Sequence, residues 1–312
     1  MTRPELAVAL AAIVGADRVR RDVPFSQLTT LRVGGPADWL ADASTADELR
    51  RVIEAARAAD VPVTIIGGGS NLLAADAGVR GVVVRARLLD VSQPQPNRVR
   101  AGAGLTINGL VRWTIGRGLA SLEAWAGTPG TVGGAIYGNA HFGGHNIGEL
   151  VTRVQLMDRA GHLREFAAEE MEFAYDTSRL QRTREVLLWA ECAVESGDPT
   201  ALREVARASL AHRKRTQPLD TPSAGCVFQN PDRVRDRVPS TIPASAGALV
   251  DRAGLKGHRI GGAMISPVHC NFIVNDGQAT AGDVAALIEV ARAAVHDQFG
   301  VDLRDEVVRI GF

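Results

Sequence analysis

Residues 61–73, VPVTIIGGGSNLL, decide how this chain is read: an apolar run, Val61 to Ile66, goes straight into Gly67, Gly68 and Gly69 and leaves through Ser70, Asn71 and Leu72. A short apolar run bounded by glycine reads as a buried strand. Upstream, Thr45 with Glu48 three residues on reads as a capping box, and Leu49, Val52, Ile53 and Ala56 form the apolar stripe of a helix. GVVVRA, residues 81–86, is a further strand, so the first 90 residues predict an α/β unit. Its glycine loop carries the information. Glycines accept positive φ and let a ligand approach the backbone, so successive N–H groups can line an anion-binding concavity, with Ser70 and Asn71 adding donors. The spacing matches neither GxxxxGK[ST] nor GxGxxG. A plain turn between strands is the other reading of the loop.

Outward from that unit, LAVALAAIVGA (6–16) reads as a short amphipathic helix opened by Thr2 and Pro4, and RVRRD (18–22) as a basic linker. TTLRVGGPADWLADAS (29–44) suggests two short strands broken at Gly34-Gly35-Pro36. Downstream come a strand to Ala101, a helix from Thr106 to Arg117, and a second glycine-dense stretch, WAGTPGTVGGAIYGNAHFGG (125–144). So many glycines disfavour a regular helix or strand. Val132, Ile136 and Tyr137 inside the run argue against a merely flexible loop. Two backbone cradles suit an extended ligand with a diphosphate and a flat ring system, as in a flavin dinucleotide.

Residues 151–195 alternate as three strands. A helix then opens at Asp198-Pro199, runs through Ala201, Leu202, Val205 and Leu210, and ends in the basic cluster Arg213, Lys214 and Arg215. Cations suit a helix C-terminus, and they equally suit a substrate phosphate, a role assigned here to Lys214 and Arg215. TPSAGCVFQNP (221–231) presents one thiol, Cys226, in a small-residue turn. It reads either as a small core hydrophobe or as a proton donor. A loop follows Pro231, then a helix at ALVDRAG, strands at GGAMISP and NFIVND, a helix from Ala281 to Phe299, and a last strand from Val301 to Phe312 that carries Glu306 back toward Cys226.

Among 312 residues, Lys plus Arg and Asp plus Glu are both 35, so no basic surplus points to nucleic acid or an anionic membrane. Cys192, Cys226 and Cys270 are odd in number, widely spaced and without a CxxC pair, which argues against a disulfide framework or a metal site and for reduced thiols in the cytoplasm. No apolar run reaches the ~18 residues of a membrane span.

In this order and spacing, TTLRVGGPAD, GGGSNLL, GTPGTVGGAIYGNA, PSAGCVFQNP, AGLKG, GGAMISPVHCNFIVN and LRDEVVRIG resemble the UDP-N-acetylenolpyruvoylglucosamine reductase family, in its shorter form. The resemblance implies an α+β fold: a two-lobed FAD-binding domain of the vanillyl-alcohol-oxidase (PCMH) type over residues 1–90 and 91–210, and a smaller α+β substrate domain over 211–312. It implies FAD as cofactor, NADPH as hydride donor, small-molecule substrates only, and a monomer. Cofactor contacts would come from Gly67, Gly68, Gly69, Ser70, Asn71 and Leu72, and from Gly127, Thr128, Pro129, Gly130, Val132, Gly133 and Asn139. Cys226 stands where most members have the serine that protonates the carbanion. Glu306 matches the terminal acid, and Tyr175 and Asn230 match substrate contacts.

Hydride addition to the enolpyruvyl double bond leaves an enolate beside a carboxylate, so the site needs a proton source on one side and charge stabilisation on the other. A thiol, with a reference pKa of about 8.5, is a stronger acid than a serine hydroxyl. Glu306 could help only if protonated or by orienting a water. One position departs from the family pattern Tyr-Arg-x-Ser: Asp176 follows Tyr175. Either Asp176 turns away and Arg179 or a residue of the basic cluster substitutes, or the chain is a slow or altered relative. A flavin oxidase of small alcohols on the same scaffold, or a UDP-sugar binder without activity, are the competing readings.

Overall fold

The computed structural model describes residues 3–312, which divide into two compact units. One holds the chain up to Asp22, Asp38–Gly68 and Arg80–His212; the other holds Val23–Ala37, Gly69–Val79 and Arg213–Phe312.

In the first unit, α1 (Arg3–Val14) buries Leu6, Leu10 and Val14. A four-stranded sheet follows in the order β1-β2-β5-β3, from β1 (Val19–Pro24), β2 (Pro36–Ala43), β3 (Val63–Ile66) and β5 (Val79–Ala86). Between them, β4 (Leu72–Ala74) pairs elsewhere. β3 runs parallel to β5 with Val63 opposite Val82, and α2 (Ala46–Ala58) lies between β2 and β3 in the chain. Thr45 caps α2 by accepting the Glu48 N–H at 3.1 Å. Glu48 also accepts the Ser44 N–H at 2.7 Å and pairs with Arg18.

An antiparallel five-stranded sheet completes this unit: β6 (Val91–Gln95), β7 (Arg98–Gly102), β11 (Val151–Met157), β12 (Leu163–Ala167) and β13 (Val186–Ala193), ordered β12-β11-β13-β7-β6. The shorter pieces are α3 (Ile107–Ile115), α4 (Val132–Tyr137), α5 (Arg179–Thr183), the pair β8 (Leu119–Ala120) with β14 (Glu195–Ser196), and the hairpin β9 (His141–Phe142) with β10 (His145–Asn146). Then comes α6 (Pro199–Thr216), opened by Asp198, whose carboxylate accepts the Ala201 N–H at 2.9 Å.

The second unit is built on an antiparallel sheet ordered β15-β18-β17-β16, from β15 (Ser223–Cys226), β16 (Arg259–Ile260), β17 (Ala263–Ile265) and β18 (Phe272–Asn275). α7 (Ala246–Arg252) and α8 (Ala281–Phe299) supply Leu249, Val250, Leu287, Ile288 and Val295 to its core. α8 starts at the Thr280 capping box, and the Asp76 carboxylate accepts the Ala281 and Gly282 N–H groups at 2.8 and 2.9 Å, where a helix start favours negative charge. β19 (Val308–Ile310) pairs in parallel with β4.

Four expectations change. The supposed linker 18–22 is mostly β1, an edge strand whose exposed Arg20, Arg21 and Asp22 suit a sheet margin that must not pair further. Thr29–Gly35 is irregular instead of a strand: Arg32 and Gly34 have φ of 57° and 105°, and the Asn275 amide fastens the segment through the Leu31 carbonyl at 3.0 Å. The glycine-dense run does contain a helix, α4, because Thr131 caps it and Val132 and Ile136 are buried beneath it. The last strand is shorter than 301–312, since Val301 and Leu303 pack into the core and only Val308–Ile310 pairs. Thr2 lies outside the described residues.

Candidate active site

In the second unit, Cys226 ends β15 opposite Phe272, with a register shift between Ser223 and Cys226. Gly225 sits inside that bulge at φ 82°, and a Cβ placed there would meet nothing within 4 Å. A bulge re-aims the side chain beside it, here a half-buried thiol next to open space. Asn271, 3% exposed, clamps the following residues: its side chain accepts the Phe228 N–H at 2.9 Å and donates to the Phe228 carbonyl at 2.8 Å, while its carbonyl takes the Val227 N–H. The other two thiols are buried. Burial pushes Cys192 up to about 12, and Cys270 is raised too, so both behave as core hydrophobes.

The C-terminal segment does return to this turn. Val227 O accepts the Glu306 N–H at 2.8 Å and the Val307 N–H at 3.2 Å, and Gln229 N–H reaches Arg304 O. Asn71 donates to the Glu306 carbonyl at 3.0 Å, while its own Oδ1 is buried with no partner among the described residues. Thr30, absent from the expected site, donates to Ser223 O at 2.7 Å and takes Gly69 O through its N–H. Its signal was the Thr-Thr-Leu-Arg stretch, which carries no recognisable chemistry by itself.

The basic cluster divides between surface and interior. Lys214 and Arg215 are exposed, whereas Arg213 is 5% exposed and lies within electrostatic reach of Cys226. Burial pulls its guanidinium down to about 10, which leaves it charged at neutral pH. Arg213 follows buried Leu202 by eleven residues, three helical turns, so the inward face was readable from spacing. Asn230 spends its side-chain oxygen on the Ala246 N–H at the start of α7.

In the first unit, the two glycine stretches are pressed together. A Cβ on Gly67 would lie 2.3 Å from Thr131 Oγ1, and one on Gly68 would lie 3.0 Å from the Gly130 Cα. Asn108, also missed, sets the second loop by accepting the Gly127 N–H at 2.7 Å and donating to Thr128 O at 3.1 Å. Pro129 and Gly134 are exposed, and a Cβ on Gly134 would meet only Thr131 Oγ1, at 3.8 Å. Two of the expected residues turn their side chains inward. The Val132 side chain is 2% exposed in the core, and Asn139 uses its amide on Ala174 O and its oxygen on the Gly148 N–H. Each can meet a ligand only through its backbone. Backbone cradles without side chains, flanked by the open surface at Gly134, fit the phosphates of FAD.

Tyr175 is 45% exposed, and Asp176 beside it points inward: it is 8% exposed, at φ 53°, with Oδ1 2.9 Å from His141 Nδ1. Arg179, the other cation near this turn, is engaged in the fold. It holds Glu185 through two bonds, at 2.8 and 3.2 Å, and its guanidinium lies over the Phe166 ring. Among the described residues no group of three or more His, Cys, Asp or Glu could hold a metal, and no helix is long and apolar enough to cross a membrane.

Residues 37–167 match an FAD binding domain, and residues 217–310 match the C-terminal domain of UDP-N-acetylenolpyruvoylglucosamine reductase. The reductase of that name from Heliobacterium modesticaldum is 41% identical over 92% of this chain and 89% of its own length. That from Synechococcus sp. WH7803 is 39% identical over 97% of both. The crystal structure of the enzyme from Thermus caldophilus superposes with a TM-score of 0.78 at 33% identity, covering 94% of this chain and 99% of that one. Sequence, fold and the paired glycine cradles agree, and the chain belongs to the UDP-N-acetylenolpyruvoylglucosamine reductase family of FAD-dependent enzymes.

Proposed function

We propose that this chain reduces UDP-N-acetylglucosamine enolpyruvate to UDP-N-acetylmuramate for peptidoglycan synthesis, with NADPH as hydride source and Cys226 as proton donor, acting as a cytoplasmic monomer. In this reading residues 1–90 and 91–210 are the lobes that hold FAD, and 211–312 hold the sugar nucleotide. When bound, FAD carries hydride from NADPH to the enolpyruvyl double bond. The chain's own residues supply the rest. The Gly67–Gly69 and Gly127–Gly134 backbones hold phosphate. Cys226 delivers the proton that completes reduction, and Arg213 favours the charge left on sulfur once that proton has gone. Glu306 is fixed one residue from Cys226 by the Val227 carbonyl.

The observation that carries this reading is the thiol at the Gly225 bulge with a buried guanidinium beside it, unlike the two core cysteines. Asp176 turns its carboxylate onto His141 at 2.9 Å. Purified protein should be yellow, bleach with NADPH, and regain its colour when UDP-N-acetylglucosamine enolpyruvate is added. Bleaching without recovery would overturn the reading.

A further inference from the structure

We propose that Asp305, gripped by Arg292 of α8 and Arg309 of β19, is the positioning residue that sets Glu306 in register at the Cys226 turn. The inference rests on the reductase reading above and adds to it a residue that acts through Glu306. Between α8 and β19, burial alternates as it does in a strand: Val301, Leu303 and Val307 join the core cluster that holds Leu287, Ile288 and Val295 of α8, whereas Asp302 and Arg304 are exposed. Alternate residues of an extended chain take opposite sides, so position 305 falls on the inward side, where the pattern calls for an apolar residue. A carboxylate stands there instead, and α8 answers it with a cation. Asp305 Oδ1 accepts from Arg292 Nη2 at 2.5 Å, and Oδ2 lies 2.8 Å from Arg309 Nε. Glu289, three residues before Arg292 and on the same helix face, pairs with Arg292 and accepts from Arg309 Nη2 at 2.8 Å. Two acids and two arginines thus close a ring between the helix and the C-terminal segment. Arg292 Nε also donates to the Leu303 carbonyl at 3.1 Å, which ties the same guanidinium to the backbone.

The ring supplies what the backbone bonds lack. Asp305 meets Phe228 in an isolated antiparallel bridge, Gln229 N–H reaches Arg304 O at 2.9 Å, and Val227 O accepts the N–H groups of both Glu306 and Val307. Such bonds are the same for every residue type, so they do not distinguish one acid from its neighbour. A slip of one residue against Phe228 would exchange the sides of Asp305 and Glu306 and carry the wrong carboxylate to the thiol. Burial of Leu303 and Val307 resists that slip, and the two guanidiniums, placed between them in the chain, select Asp305 for the inward side. Fixing register is the best-attested use of a partly buried ionic group. On the other side Arg304 reaches Asp236 at 2.8 Å, but Arg304 is 44% exposed, and pairs of that kind hold weakly. Glu306 is then the acid left at the turn, one residue from Cys226 through the Val227 carbonyl.

The test follows the two half-reactions of the FAD-loaded enzyme separately. Asp305→Ala should be bleached by NADPH at the parental rate but return to the oxidised state about 10- to 10²-fold more slowly with UDP-N-acetylglucosamine enolpyruvate, the penalty for moving a reacting group by about 1 Å. Glu306→Gln alone should slow the same step. Adding Asp305→Ala to Glu306→Gln should slow it little further, because the group through which Asp305 acts is already gone; a loss of general packing would persist in both backgrounds. Arg292→Gln leaves both acids in place and should show the same dependence on Glu306, which decides the matter if Asp305→Ala does not fold. Parental reoxidation in either variant, equal slowing with and without Glu306, or a Glu306→Gln variant that reoxidises at the parental rate would overturn the assignment. A parent protein that bleaches but never reoxidises with this substrate would instead overturn the reductase reading.

Discussion

Gly67→Ala tests whether the two glycine stretches truly share a surface. The added methyl would sit 2.3 Å from Thr131 Oγ1 and 3.5 Å from the Thr131 Cβ. Against an ordinary separation of about 3.5 Å, roughly 1 Å has to be found by moving one loop, and forced overpacking of this kind costs about 1–3 kcal/mol. Thr131→Ala removes the atom that clashes but also the cap of α4, for about 1 kcal/mol. If the contact is real, the double variant regains much of the first loss, so its cost should fall below the sum of the single costs by at least about 1 kcal/mol. Urea unfolding at one fixed FAD concentration measures all four corners, with the m-value confirming that compactness is unchanged. Titration of FAD should show the same pattern, with about tenfold weaker binding per 1.4 kcal/mol. Additivity within about 0.5 kcal/mol would refute the packing of Gly67 on Thr131.

Two further outcomes follow from the second unit. Asn271→Ala leaves a buried N–H and carbonyl of Phe228 without their partner, so urea unfolding should show a loss of about 1–3 kcal/mol. His269 is held neutral by burial, with Nδ1 accepting the Asn271 N–H at 3.2 Å, so its folded pKa lies below the unfolded value near 6.5. Its contribution is therefore full above about pH 6.5 and is lost as the unfolded chain takes up a proton below that; His269→Gln should flatten the stability profile below about pH 6.5.

Much of this was legible because the signals are local. Thr45, Thr280 and Asp198 announce their helices, and the run Val61–Ile66 into three glycines locates both a parallel strand and its loop. What escaped depends on tertiary context. β1 reads as a linker because an edge strand tolerates charge, and Thr29–Gly35 reads as a strand because alternating Leu31 and Val33 cannot reveal that Arg32 is left-handed. In the site, Cys226 and Glu306 could be named, and the structure brings their backbones together through Val227. Arg213 was passed over for Lys214 and Arg215 because adjacent basic residues look alike until the helix face is traced from Leu202 through Ala206 and Ser209. The His141–Asp176 contact spans thirty-five positions and leaves no trace in either segment alone.

The central claim is that the Cys226 thiol donates the proton, and the most direct measurement is single-turnover reoxidation of the NADPH-reduced enzyme by UDP-N-acetylglucosamine enolpyruvate. Cys226→Ala should slow this step by about 10²- to 10⁴-fold while leaving bleaching by NADPH unchanged, and Cys226→Ser should retain most of the rate without its alkaline decline. Full-speed reoxidation in Cys226→Ala would contradict the account.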